Sequence, residues 1–210
     1  MSRTDTRWRS RYRKQIILKG VGLEGQARIM QGSALVVGAG GLGGIVAMLL
    51  VRAGVGTVRI VDFDVVEEEN LHRQILFTEA DASARAPKAE VAAEVLRAVN
   101  SGCSIEGVVT RVTTETLPSL LSGMKVVVDA TDNFGTRDVI NAACLAHRIP
   151  WVHGGVLGTA GALMSIVPWE GPCLRCLYPA LPEDGSLQTT SAVGIMNTLP
   201  ALVGALQVTE

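Results

Sequence analysis

Residues 38–43 read GAGGLG and follow directly on the apolar run SALVV. Glycines in such a turn let the backbone close on a phosphate, and the amides that open the next helix attract its negative charge. Gly38, Gly40 and Gly41 are therefore candidate phosphate contacts. A second apolar run, TVRIV, leads into Asp62, at the spacing where a carboxylate accepts ribose hydroxyls. Glycines that serve helix packing alone are the competing reading of the loop; an acid at this distance favours a nucleotide.

Other polar residues cluster around the same predicted strand ends. Asp64 reads either as a ribose or metal contact or as a turn-forming residue. NLHRQ, residues 70–74, supplies Asn70 and Arg73, whose guanidinium fork suits bidentate grip on phosphate oxygens. Lys88 falls in the first turn of a predicted helix, where the helix dipole disfavours a cation, so a functional reason is expected. Ligands in open α/β sheets lie beyond the carboxyl ends of the strands, which puts Asp132 and Asn133 of DATDN on the same crevice. Asp132 suits Mg2+, which takes one or two carboxylates plus phosphate oxygens. Asn133 reads as a ligand contact or as a helix cap. Cys173 and Cys176 have the spacing of half a tetrahedral zinc site, while Cys103, in a predicted strand, and Cys144, in a predicted helix, read as buried thiols. His72 and His147 read as surface or capping residues, and His153 as a core histidine or a crevice residue.

Alternating strands and helices must position these groups. Strands are expected at 33–38, 57–64, 104–112, 125–132 and 149–156, with helices at 42–53, 86–100 and 136–147. A sixth strand, 161–169, follows the fifth too closely for a helical crossover and is expected to run antiparallel. Residues 12–30 read as a helical arm broken near Gly20 to Gly22, preceded by a mobile Arg-rich start, and 179–188 as a mobile loop. The expected fold is α/β: a Rossmann-like open, mostly parallel sheet with helices on both faces and an antiparallel C-terminal extension.

Bulk properties narrow the function classes. The sequence has 210 residues, long enough for one substantial core, and a net charge of -1, so a nucleic-acid surface is not expected. Its apolar stretches are too short to span a bilayer and its start lacks a secretory signal's apolar core, which points to the cytoplasm. Four cysteines with one close pair do not form a disulfide framework.

Taken in order, RYRKQIIL, GAGGLG, DFD, NLHRQ, PK, DATDN and PCLRCLYP resemble the ThiF/MoeB/HesA family, the bacterial relatives of ubiquitin-activating enzymes, over residues 11–210. That resemblance implies ATP rather than NAD, and adenylylation of the C-terminal glycine of a small ubiquitin-like sulfur carrier of the ThiS or MoaD kind. It implies phosphate contacts from Gly41, Asn70, Arg73 and Lys88, a ribose contact from Asp62, and Mg2+ on Asp132. A homodimer and two regions are expected, an arm over 1–30 and an ATP-binding adenylylation domain over 31–210. The family's arm carries an Arg into the partner subunit's site; Lys14 stands at the matching position and keeps the charge without the fork. LQTTSAVG offers only Thr189, Thr190 and Ser191 where many members have a carrier-bearing cysteine, so no covalent carrier step is expected. The family's second CxxC is expected roughly thirty residues beyond position 210, so the zinc site is incomplete and either the sequence is truncated after Glu210 or zinc is absent.

Three rivals remain. An NAD-dependent oxidoreductase accounts for the glycine loop and Asp62 alone. A relative that adenylylates a tRNA base fits the same motifs but not the lack of basic surplus. A partner subunit without chemistry leaves Arg73, Lys88 and Asp132 unexplained.

Overall fold

A computed structural model describes residues 7–180 and 190–210. A six-stranded sheet has the order β3-β2-β1-β4-β5-β6, with β1 Ser33–Val37, β2 Thr57–Val61, β3 Ser104–Val108, β4 Val126–Asp129, β5 Trp151–Leu157 and β6 Ala160–Ile166. All neighbours pair in parallel except β5 and β6, which are antiparallel as expected from the short connection.

Each β1 residue is buried because helices cover both sheet faces. Ala34 and Val36 point into one core, with Val46, Ala47 and Leu96. Leu35 and Val37 point into the other, with Leu117, Ile140 and Trp151. The helices are α1 Arg7–Arg11, α2 Arg13–Ile16, α3 Gly22–Met30, α4 Gly41–Ala53, α5 Glu79–Ser83, α6 Lys88–Val99, α7 Leu117–Leu121, α8 Phe134–His147, α9 Leu174–Leu177, α10 Thr190–Val193 and α11 Leu199–Thr209. Gly54 ends α4 in the left-handed region at φ 89°, and Tyr12 of the arm packs against it.

Several boundaries differ from expectation. β2 stops at Val61, β3 at Val108 and β4 at Asp129, so Asp62, Asp64 and Asp132 lie in loops rather than on strands. Asp62 and Asp64 thus share no strand face. Asp62 turns its carboxylate inward to accept the Ala39 and Asp64 amides, while its own amide still donates to the Val108 carbonyl oxygen at 3.2 Å. Cys103 sits in the turn before β3, not in the strand. Helices α5 and α7, five residues each, are too short to show a helical period in sequence. Most of the loop expected at 179–188, Thr189, and the side chains of Thr190 and Ser191 lie outside the described residues, as do the positions before residue 7. Among the described residues no helix is long and apolar enough to cross a membrane.

Candidate active site at the sheet's switch point

β1 lies between β2 and β4, so the polypeptide leaves β1 toward one side and β4 toward the other, opening a crevice beyond their carboxyl ends. A cavity of about 380 Å3 fills it, within the size range of small-ligand sites. Gly38, Gly40, Gly41, Asp62, Asp64, Asn70, Arg73, Lys88, Asp132 and Asn133 all line it, as do Phe63, Gln74 and Arg111. Ten residues proposed from motifs thus meet in one space.

Glycines in the first loop have divided roles. Gly38 has φ 96°, and a Cβ there would stand 2.8 Å from the Ala130 carbonyl oxygen, so no side chain fits between the ends of β1 and β4. A side chain at Gly43 would collide with the Gly38 carbonyl oxygen. These two serve close packing. Gly40 is the N-cap of α4 and supplies no capping side chain, which leaves the first-turn amides of α4 open toward the cavity.

Asp62 is buried. Its Oδ2 accepts the Ala39 amide at 2.7 Å and its Oδ1 the Asp64 amide at 2.8 Å. Burial pushes its carboxyl above the usual 3.8, against the pull of those two amides and of Lys88. Asn70, 6% exposed, acts as a hub: its Oδ1 accepts Arg73 Nη2 at 3.0 Å and Gln74 Nε2 at 2.9 Å. Arg73 Nη1 donates further to the Glu69 carbonyl oxygen at 3.3 Å. The guanidinium is aimed before any ligand arrives.

Lys88 opens α6 with its side chain 9% exposed and Nζ 3.3 Å from Asp64 Oδ2. The dipole cost of a cation in that first turn is offset by this ion pair. Asp132 is exposed on the rim, and the contact from Asn133 Nδ2 to its Oδ1 is long, at 3.4 Å. Asn133 Oδ1 accepts the Thr136 amide at 2.8 Å and caps α8. The cap and the cavity position of Asn133 are both present.

A family model for the ThiF family matches residues 12–210. The chain belongs to the ThiF family. It is 42% identical over 200 residues to the SAMP-activating enzyme E1 of Haloferax volcanii, covering 95% of this sequence and 73% of that one. It is 40% identical over 200 residues to the sulfur carrier protein ThiS adenylyltransferase of Bacillus subtilis, covering 95% of this sequence and 59% of that one. The fold also matches crystalline Escherichia coli MccB, solved with MccA-N7isoASN, at a TM-score of 0.82 and 20% identity, over 95% of this sequence and 62% of that one. The chain therefore spans about three fifths to three quarters of the length of these relatives.

Two expected groups lie away from the cavity. Lys14 is exposed on α2, beside Gln15, whose Nε2 donates to the Ala53 carbonyl oxygen at 3.1 Å. Ala53 ends α4, and 13 residues of helix, about 20 Å at the usual rise, separate it from the cavity. Cys173 and Cys176 lie at α9 with their sulfurs 3.8 Å apart, which matches the edge of about 3.8 Å in a tetrahedron with Zn–S bonds of about 2.3 Å. Burial alone would raise the Cys173 thiol, but amide donors from Cys176 and Arg175 outweigh it and hold it below the usual range. The pair fits two corners of a zinc site; among the described residues no third His, Cys, Asp or Glu joins it.

Reading the sequence missed Arg111, Phe63 and Gln74. The Arg111 guanidinium sits 3.8 Å over the Phe63 ring at the cavity wall, a cation–π pair whose members are 48 positions apart (111 − 63) and share no motif. Gln74 carried a signal, since it ends NLHRQ. His153 is a buried core histidine, with Nδ1 2.8 Å from Asp129 Oδ2. His72 Nδ1 lies 2.9 Å from the Glu69 carbonyl oxygen at the surface, and His147 is exposed at the end of α8.

Proposed function

We propose that this protein is an ATP-dependent adenylyltransferase that activates the C-terminal glycine of a ubiquitin-like sulfur carrier ending in Gly-Gly. One observation carries the reading: the open amides of α4, Arg73 held by Asn70, and the nearly buried Lys88 border a single cavity with Asp132 on its rim. Relatives called adenylyltransferase and activating enzyme support it.

In this reading the carrier's carboxylate oxygen attacks the α-phosphorus of ATP. A new O–P bond forms, the bond to the β-phosphate oxygen breaks, and pyrophosphate leaves with its electron pair. Phosphoryl chemistry of this kind needs mainly positioning and charge neutralisation, and Arg73 and Lys88 supply both without a protein nucleophile. Asp62 holds the ribose, and Gly41 with the α4 amides the phosphates. Asp132, open on the rim, would hold Mg2+, which neutralises phosphate charge when bound. The protein acts as a homodimer in which Lys14, at the far end of α4 from its own cavity, serves the partner's site. Residues 31–210 form the adenylylation domain and 1–30 the arm, and the setting is the cytoplasm.

ATP–pyrophosphate exchange with a purified ThiS-like or MoaD-like carrier tests the reading. Exchange is expected with wild type and lost in Asp132→Ala. Binding of NAD in place of ATP, or exchange that survives Asp132→Ala, overturns it.

A further inference from the structure

Behind the wall of the cavity lies a polar cluster that joins the first and third residues of DATDN to His153 and Arg137. Asp129, the last residue of β4, is fully buried. Its Oδ1 accepts the Thr131 amide at 2.9 Å and the Thr131 hydroxyl at 2.6 Å. Its Oδ2 faces His153 Nδ1 at 2.8 Å and Arg137 Nε at 3.4 Å. Arg137, on α8 and 7% exposed, returns to the loop by donating from Nη2 to the Thr131 carbonyl oxygen at 2.6 Å. The amide, hydroxyl and carbonyl of Thr131 are thus all held from behind.

Thr131 precedes Asp132, and Asn133, which follows it, is tied down as the cap of α8. Asp132 is therefore clamped on both sides while its own carboxylate stays exposed on the cavity rim. Buried ionic groups are costly unless fully paired, and a hydrophobic set would pack this volume as well. Groups that support a metal-binding carboxylate from outside typically matter about 10- to 100-fold for metal affinity.

We propose that Asp129, His153 and Arg137 are positioning residues that hold the Thr131 backbone and hydroxyl so that Asp132 meets the metal–nucleotide complex. This rests on the reading of Asp132 as the metal ligand. The cluster sets the metal-dependent part of ATP binding and leaves the metal-free part, held by Asp62, Arg73 and Lys88, unchanged.

Calorimetric titration of the full-length protein with ATP, with and without Mg2+, separates the two. Wild type is expected to bind ATP more tightly with Mg2+. Thr131→Val, which keeps the shape and deletes the hydroxyl, and His153→Leu should each lose about tenfold or more of that gain, with metal-free affinity unchanged. His153→Asn, which can keep a donor near the Nδ1 position, should restore most of it. Should His153→Leu not fold, Thr131→Val decides alone. A full Mg2+ gain in folded Thr131→Val overturns the positioning role and leaves the proposed function standing. Wild type that binds ATP without any Mg2+ gain overturns the Asp132 reading and this proposal with it, and wild type that binds no ATP overturns the proposed function as well.

Discussion

Lys88 and Asp64 are joined twice: Nζ lies 3.3 Å from Asp64 Oδ2, and the Lys88 amide donates to the Asp64 carbonyl oxygen at 3.0 Å. The backbone contact fixes where α6 begins and the side-chain contact fixes where its first cation points. Asp64 is thereby a partner of Lys88, with half of its side chain still exposed.

Lys88→Met should lower kcat for ATP–pyrophosphate exchange by about 100- to 1,000-fold, the usual cost of deleting one preorganised group that stabilises transition-state charge. Asp64→Ala should cost far less, since the Lys88 charge remains. Equal losses in the two variants would show that Asp64 itself touches the reacting groups.

Asp62 predicts a pH dependence. Burial is the main cause that raises its carboxyl above 3.8, so the folded protein binds this proton more tightly than the unfolded one does. The resulting stabilisation is complete below the unfolded value and is lost as pH rises through the folded one. The Tm of wild type minus that of Asp62→Asn should therefore fall as pH rises through that window, measured by thermal denaturation. A constant difference would remove burial as the dominant influence on Asp62.

The arm is anchored far from the cavity. Tyr12 Oη accepts Asn100 Nδ2 at 2.8 Å, and a Cβ on Gly54 would stand 2.5 Å from Tyr12 Cζ. Gly54→Ala forces a left-handed residue and displaces the ring, and should destabilise by more than about 1 kcal/mol. Tyr12→Phe deletes one buried hydrogen bond and should cost about 1 kcal/mol. Urea denaturation reads both, and a Gly54→Ala midpoint equal to wild type would mean that the arm does not dock there.

Placement of Lys14 makes a mixing experiment decisive. Lys14→Ala and Asp132→Ala should each be inactive alone. In the proposed homodimer a mixed pair keeps one of its two sites intact, so random reassortment should restore about a quarter of wild-type exchange. No recovery after verified subunit exchange would place the action of Lys14 within its own subunit.

Much of the scaffold was legible locally. SALVV buries on both faces and so reads as an interior strand, Gly54 closes α4 where the apolar run ends, and the short link before β6 required an antiparallel partner. Strand ends were less legible: the Asp62 amide still bonds Val108 and the Ala130 amide still bonds Val37, while the Asp62 and Asp129 carboxylates turn to the amides of Ala39 and Thr131, an arrangement that apolar patterning does not encode. Asp64 and Asn133 carried two readings each. The fold shows Asp64 paired with Lys88, and Asn133 both capping α8 and lining the cavity.

From the order of residue types alone came the alternating α/β plan, the glycine turn and the set of polar residues at strand ends, because propensity, periodicity and turn chemistry act over a few neighbouring positions. Only the tertiary structure decided which of those residues meet. Strand order 3-2-1-4-5-6 brings Asp129 to His153 and Asp64 to Lys88 across 24 positions, and Tyr12 to Asn100 across 88. Such pairings depend on burial and on the geometry of a closed core, where an unpaired charge or polar group is expensive and a partner must be found in space rather than along the sequence.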